Sequence, residues 1–272
     1  MKKFRPSSHV IVLALVAALI AGAFGPKLRV WAGERYTSGR PVQFFSWNVA
    51  ERAAGYGAVV AIAHNAGDDP ATTQRALASG ASYIEIDVVY ENGVLYAAHT
   101  RPRGTIKDLA WRLAPPVTLL DAWRYSSAAT GIELDIKESS PAALAQIVDF
   151  LKSEWHGESL MLASKDPSVL AALADKVPSA FRLLSIDTPA SLKAFQAGGG
   201  PGAQPDGVTV RESLLHADTV EWFKKQRLLV LAWTVDDPAR FDQLVDLGVD
   251  GVATDNLAIT QRLTGGLLAW SR

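Results

Sequence analysis

No cysteine occurs anywhere in the 272 residues. Disulfides, thiolate zinc sites and cysteine nucleophiles are therefore excluded, and any metal must be held by oxygen or histidine. A surplus of charge is missing too, since 27 Lys and Arg stand against 28 Asp and Glu. A nucleic-acid partner normally shows as a basic patch or stripe, and this balance gives no reason to expect one. Low-complexity segments are absent. With 49% hydrophobic and 20% charged residues, the chain has the composition of an ordinary globular protein with ample core.

Only one long apolar run interrupts this picture. After Lys2, Lys3 and Arg5, the chain is apolar from Val10 to Phe24. As a helix that run would span about 22 Å, short of a bilayer core of about 30 Å. The basic start and the small residues Ala21-Gly22-Ala23 fit a secretory signal over residues 1–25. Counted with Gly25 and its flanks, the same segment serves as an uncleaved anchor. Either reading places the rest of the chain outside the cytoplasm, secreted or membrane-anchored, with the basic end inside. Residues 26–56, with "TSGRP" and Phe44-Phe45, show no sustained period and read as a linker or outer segment.

From about residue 57 short apolar runs alternate with helical patterns. Strand candidates are 58–64, 82–89, 131–137, 160–164, 181–186, 206–211, 228–235 and 250–255. Most are followed by a segment opening on Asp, Thr or Pro, as helix N-termini prefer. Repetition of this unit predicts a parallel sheet closed as a (β/α)8 barrel over 57–265, with a tail at 266–272. An open doubly wound sheet is the rival. Residues 94–98 read as an extra strand or a long loop.

Barrel strands are covered on both faces and should be nearly all aliphatic. "YIEIDVV" breaks that rule with Glu85 and Asp87, which share a parity and hence a face. "GIELDIK" breaks it again with Glu133 and Asp135, followed by Lys137 on the same parity. Taken singly, each acid reads more plainly as half of an ion pair, and Glu133 as a partner for Lys137. Together, three carboxylates on adjacent strands make an all-oxygen ligand set. That suits Mg2+ or Ca2+ and suits zinc poorly. His64 ends the first strand candidate and His99 follows the extra strand, where imidazoles could carry protons. Trp233 ends a late strand as core or pocket wall. His9, His156 and His216 read as surface residues.

At these positions the chain resembles the glycerophosphodiester phosphodiesterase family, a (β/α)8 barrel superfamily that also holds the sphingomyelinase D-type phospholipases. The likeness spans about residues 58–264 and is carried by "IAH", "GASYIEIDV", His99, "IELDIK", "WTVDDP" and "LGVDGVATDNL". It implies one divalent cation, Mg2+ or Ca2+, on Glu85, Asp87 and Asp135. It further implies acid/base roles for His64 and His99, a phosphate contact from Lys137, and Trp233 in the pocket wall. The sequence departs from the family where His-Arg-Gly is expected, since His64 is followed by Asn65-Ala66-Gly67. Asn65 thus takes the place of the phosphate-binding arginine, and Arg101 or Arg103 is the nearest replacement. "DDPATT" replaces Pro-Glu-Asn-Thr, and Thr100 follows His99. His64 and Glu85 are 21 residues apart, closer to the sphingomyelinase D-like branch, although that branch's disulfide is impossible here.

The resemblance implies a metal-dependent phosphodiesterase acting on glycerophosphodiesters or on phospholipid or lysophospholipid headgroups. Two alternatives stand beside it: a sphingomyelinase D-like enzyme that forms a cyclic phosphate, and a catalytically weak envelope protein using the barrel for binding. The lost arginine favours the last.

Overall fold

Five helices of the domain open in the same way, with a capping Asp, Ser or Thr followed by proline. Asp69, Ser140, Asp166, Thr188 and Asp237 each accept a backbone N–H from the first turn that follows. The proline sits where its missing N–H costs nothing. Each such pair ends a strand excursion and turns the chain back along the barrel wall.

The computed structural model describes residues 59–104, 106–157, 159–198 and 204–270. The elements in chain order are β1 (Val60–Ala63), α1 (Pro70–Ala78), β2 (Tyr83–Glu91), β3 (Val94–Ala97), α2 (Ile106–Leu113), α3 (Leu119–Ser126), β4 (Gly131–Ile136) and α4 (Pro141–Glu154). Then come β5 (Ser159–Ser164), α5 (Pro167–Ala174), β6 (Phe181–Ile186), α6 (Pro189–Gln196), β7 (Gly207–Arg211), α7 (Ala217–Lys225), β8 (Leu229–Trp233), α8 (Pro238–Asp246), β9 (Gly251–Thr254) and α9 (Leu257–Trp270).

Parallel pairing runs β2-β4-β5-β6-β7-β8-β9, and β1 joins both β9 and β2. The eight strands therefore close into a barrel, and the open doubly wound sheet is ruled out. β3 is an antiparallel arm on β2, which settles 94–98 as a strand rather than a loop. The last helix continues to Trp270. The expected N-terminal helix at 1–25 and the segment 26–56 lie outside the described residues. Among the described residues, no helix is long and apolar enough to cross a membrane.

The strand period sorts the side chains. Ile84, Ile86 and Val88 face the helices and join a buried cluster with Ile132, Leu134 and Ile136. The opposite parity faces the barrel axis, where Val60, Ile62, Tyr83, Met161, Leu183 and Leu231 fill the lower layers. Gly131 lies opposite Tyr83 and gives its ring room, because a Cβ there would come within 2.3 Å of Tyr83 Cε1. Register then lifts Glu85 opposite Glu133, and Asp87 opposite Asp135. The axis thus changes from apolar to acidic toward the C-terminal ends of the strands, the end where barrel enzymes keep their chemistry.

Candidate metal and phosphate site

Glu85, Asp87 and Asp135 can bring one carboxylate oxygen each within 4.8 Å of one another. Asp87 is wholly buried and Glu85 nearly so. Burial, reinforced by Glu133 and Asp87, pushes the Glu85 carboxyl well above the ordinary range. Burial also raises Asp135, against the pull of Lys137, and together with Asp135 it pushes Glu133 up to about 8. These are groups short of positive charge.

Lys137 supplies part of what is missing. Its Nζ lies 2.6 Å from Asp87 Oδ1 and also contacts Asp135 Oδ2. Although burial opposes its charge, Asp135 and Asp87 hold its pKa above the ordinary lysine value. The ammonium therefore stands between two of the three acids, where a small hard cation would find the same oxygens. An all-carboxylate donor set short of positive charge fits a hard divalent cation. Lys137 bonds Asp87 and Asp135 rather than Glu133, correcting the ion pair read from sequence for Glu133. That acid sits one layer deeper, opposite Glu85.

The two histidines flank the acids. His99 is largely exposed and places Nδ1 2.9 Å from Asp87 Oδ2. His64 places Nε2 3.9 Å from Glu85 Oε2, while its Nδ1 lies 3.1 Å from Asp255 Oδ1. An acceptor at Nδ1 favours the tautomer that leaves Nε2 with a lone pair on the acid side. The backbone of the following residue helps. Asn65 adopts φ 50°, a left-handed conformation that Asn tolerates better than most residues. Its N–H donates to Glu85 Oε2 at 3.0 Å, and its side-chain Nδ2 lies 3.2 Å from His64 Nδ1. The amide nitrogen only donates and finds no acceptor in an Nδ1 that itself donates to Asp255, so Asn65 joins the site as a support for Glu85.

Arg101 does not join. Its guanidinium is held by Asp108 at 2.7 Å and Glu91 at 3.2 Å, with Trp111 5.0 Å away from ring centroid to Cζ. Asp108 and Trp111 belong to α2 and Glu91 to the end of β2, so these partners hold it between the two. Arg103 is exposed in the same segment. His156 and His216 are exposed, while His9 lies outside the described residues.

Other residues at the site were not singled out from sequence. Asp68 accepts the Asp87 backbone N–H at 3.0 Å, and burial together with Asp87 pushes its carboxyl up to about 8. Asp255 meets His64 only because β9 pairs with β1. On the far side of the mouth, Lys165 Nζ and Arg211 Cζ lie 5.9 Å and 5.5 Å from the Trp233 ring centroid, and Lys165 pairs with Asp187 at 2.7 Å. The readable signal for these four was position. Each lies at or just beyond the C-terminal end of a barrel strand.

The turn carrying Asn65 and Asp68 depends on Gly67. A Cβ there would meet Ile86 Cγ1 at 2.3 Å and the Glu85 carbonyl at 2.8 Å. Gly67→Ala is expected to destabilise the fold by about 1–3 kcal/mol and to weaken activity through displaced Glu85. Thermal melting and initial rates check both effects.

The raised acids also fix the sign of a pH effect. Glu133 and Asp68 hold protons in the fold up to about pH 8, whereas unfolded carboxyls release theirs near pH 4. The folded state therefore binds more protons across that window, and this contribution to stability declines as pH rises through it. The Tm of chelated protein should fall between about pH 5 and about pH 9, Glu133→Gln should flatten the fall, and Mg2+ or Ca2+ should restore Tm most at the alkaline end. A flat chelated profile would contradict the burial of uncompensated acids.

A closed barrel with a largely buried acid triad and two histidines at its C-terminal mouth defines the class: a (β/α)8 protein with a candidate divalent-metal centre. Residues 105–259 match the model of the glycerophosphoryl diester phosphodiesterase family, and the chain belongs to that family. It is accordingly a phosphoric diester hydrolase. The matched stretch begins beyond His99, so His64, Glu85, Asp87 and His99 rest on the geometry above. No curated protein sequence matches the chain.

Solved structures share the fold at low identity. A glycerophosphodiester phosphodiesterase from Parabacteroides distasonis superposes with TM-score 0.62 and 20% identity, covering 79% of this chain and 100% of its own. A phosphodiesterase from Oleispira antarctica, in complex with the product sn-glycerol-3-phosphate, gives 0.61 and 20%, covering 78% and 98%. A glycerophosphodiester phosphodiesterase from Thermotoga maritima gives 0.56 and 17%, covering 76% and 98%.

Proposed function

We propose that the protein hydrolyses glycerophosphodiesters with one divalent cation held by Glu85, Asp87 and Asp135 and with His64 and His99 as its acid/base pair. The observation that carries this reading is the contact of each histidine with a different acid of one largely buried triad, at the mouth of a barrel from this family. A bound divalent cation supplies Lewis-acid polarisation of a phosphoryl oxygen. Lys137, already beside Asp87 and Asp135, offers its ammonium to a second phosphoryl oxygen. His64, oriented through Nδ1 by Asp255, receives the proton of the attacking water at Nε2. His99, oriented through Nδ1 by Asp87, donates from Nε2 to the departing alkoxide. Trp233 lines the opposite wall, where Lys165 and Arg211 keep the field positive for a substrate that is itself an anion.

A product-bound relative that carries sn-glycerol-3-phosphate supports release of the same product here. The test incubates purified protein and Mg2+ or Ca2+ with glycerophosphoglycerol, glycerophosphocholine and lysophosphatidylcholine, and identifies the phosphorus product. Glycerol 3-phosphate from the glycerophosphodiesters is expected. A cyclic phosphate from the lysolipid would move the protein to the sphingomyelinase D-like reading. No turnover of any substrate would favour a binding barrel.

A further inference from the structure

Among the described residues, the large apolar side chains that stand exposed are Val94, Ile106, Leu109 and Leu113. Three of them belong to one eight-residue helix, α2, at 78%, 50% and 77% exposure. Their spacing of three and then four places all three on one stripe at 3.6 residues per turn. Exposed Ala110 widens the stripe. Going round the helix, Lys107 borders the stripe on one side and Arg112 on the other, and both are exposed. The remaining face holds the helix to the domain, because Asp108 pairs with Arg101 and Trp111 packs edge-on against Tyr96 of β3 at 5.5 Å.

This arrangement differs from that of the wall helices, whose apolar residues are spent on the barrel. α2 turns its charged and aromatic side inward and its aliphatic side outward. A water-facing helix has nothing to gain from that orientation. A bilayer does, since aliphatic residues enter the acyl boundary while flanking cations reach the headgroups. Charge complementarity selects the lipid: residues 101–113 carry Arg101, Arg103, Lys107 and Arg112 against Asp108 alone; Arg101 is turned inward onto Asp108 and Glu91, which leaves exposed Arg103, Lys107 and Arg112 on the outside, Arg112 reaching Asp108 from the rim.

We infer that α2 is a docking helix for anionic lipid surfaces, with Ile106, Leu109 and Leu113 as its inserted stripe and Lys107 and Arg112 as its headgroup contacts. The helix begins seven residues beyond His99, so the dock adjoins the segment that carries this histidine. The dock stands on the helix alone and is independent of the reaction proposed above.

The cysteine-free sequence makes the test local even in the full chain. A single cysteine is introduced as Ala110→Cys on the stripe, or as Ala190→Cys on the exposed face of α6, and labelled with an environment-sensitive fluorophore. Each labelled protein is titrated with vesicles of phosphatidylcholine, with or without phosphatidylglycerol. The probe at 110 should shift to the blue and brighten on anionic vesicles, while the probe at 190 does not. Adding Leu109→Asp, or Lys107→Glu together with Arg112→Glu, should raise the half-effect lipid concentration by about tenfold or more. No change at 110 on anionic vesicles, or a change indifferent to these substitutions, would overturn the dock. A lipid-free change that grows with protein concentration would also overturn it and name a second copy as the occupant.

Discussion

Asp87→Asn is expected to lower phosphodiester turnover by about three orders of magnitude or more while leaving the fold intact. The carboxylate is fully buried, and its two oxygens serve different partners, Lys137 at Oδ1 and His99 Nδ1 at Oδ2. Asparagine keeps the shape and removes the charge. It therefore weakens the cation site, releases Lys137 from one of its two anchors, and offers His99 an uncharged neighbour. The backbone N–H of residue 87 still reaches Asp68, so the turn below the mouth is preserved. Removing one negative charge also relieves Glu85 and Asp135, whose carboxyls Asp87 pushes upward. The chelated variant should accordingly melt at or above the wild-type temperature. Activity lost at an undiminished Tm is the signature; a large drop in Tm would assign Asp87 a structural role instead.

His64→Ala should cost about 10²- to 10⁴-fold in turnover, the usual worth of a positioned acid or base. His64 is well placed for that loss. It is mostly buried, its Nδ1 is engaged by Asp255, and its Nε2 faces Glu85. Asp255→Asn leaves the imidazole in place without its orienting charge, and about a tenfold loss is expected because the Asp255 side chain is more than half exposed. Measuring kcat and KM separately distinguishes the two roles. A proton-transfer residue lowers kcat, whereas a residue that merely shapes the pocket raises KM. Near-normal kcat in His64→Ala would remove it from the mechanism.

Much of this architecture is legible in the residues alone, for identifiable reasons. Parallel barrel strands are aliphatic on both faces, so the acids of "YIEIDVV" and "GIELDIK" stand out. The period of two then assigns Glu85, Asp87, Glu133 and Asp135 to the axis, as the observed register has them. Capping residues before proline mark where strands give way to helices. What local pattern does not reveal is contact between distant segments. His64 and Asp255 are separated by 191 positions and meet only because β1 closes onto β9. Lys165 and Arg211 look like surface cations until the ring of strands sets them around Trp233. Arg101 is engaged by partners that the pattern around His99 does not announce, since α2 folds Asp108 back onto it and Glu91 meets it from β2. Glu133 and Lys137 share a strand face but do not pair, because the ammonium reaches the upper pair of acids.

Dependence of hydrolysis on one divalent cation at the Glu85, Asp87 and Asp135 triad is open to a single measurement. The most direct test strips the protein with chelator and follows glycerol 3-phosphate release from glycerophosphoglycerol as Mg2+ or Ca2+ is returned. No release is expected in chelator, with saturable recovery at a single binding site and no recovery in Asp87→Asn at the same cation concentrations. Full activity in chelator, or recovery of Asp87→Asn to the wild-type rate, would contradict it.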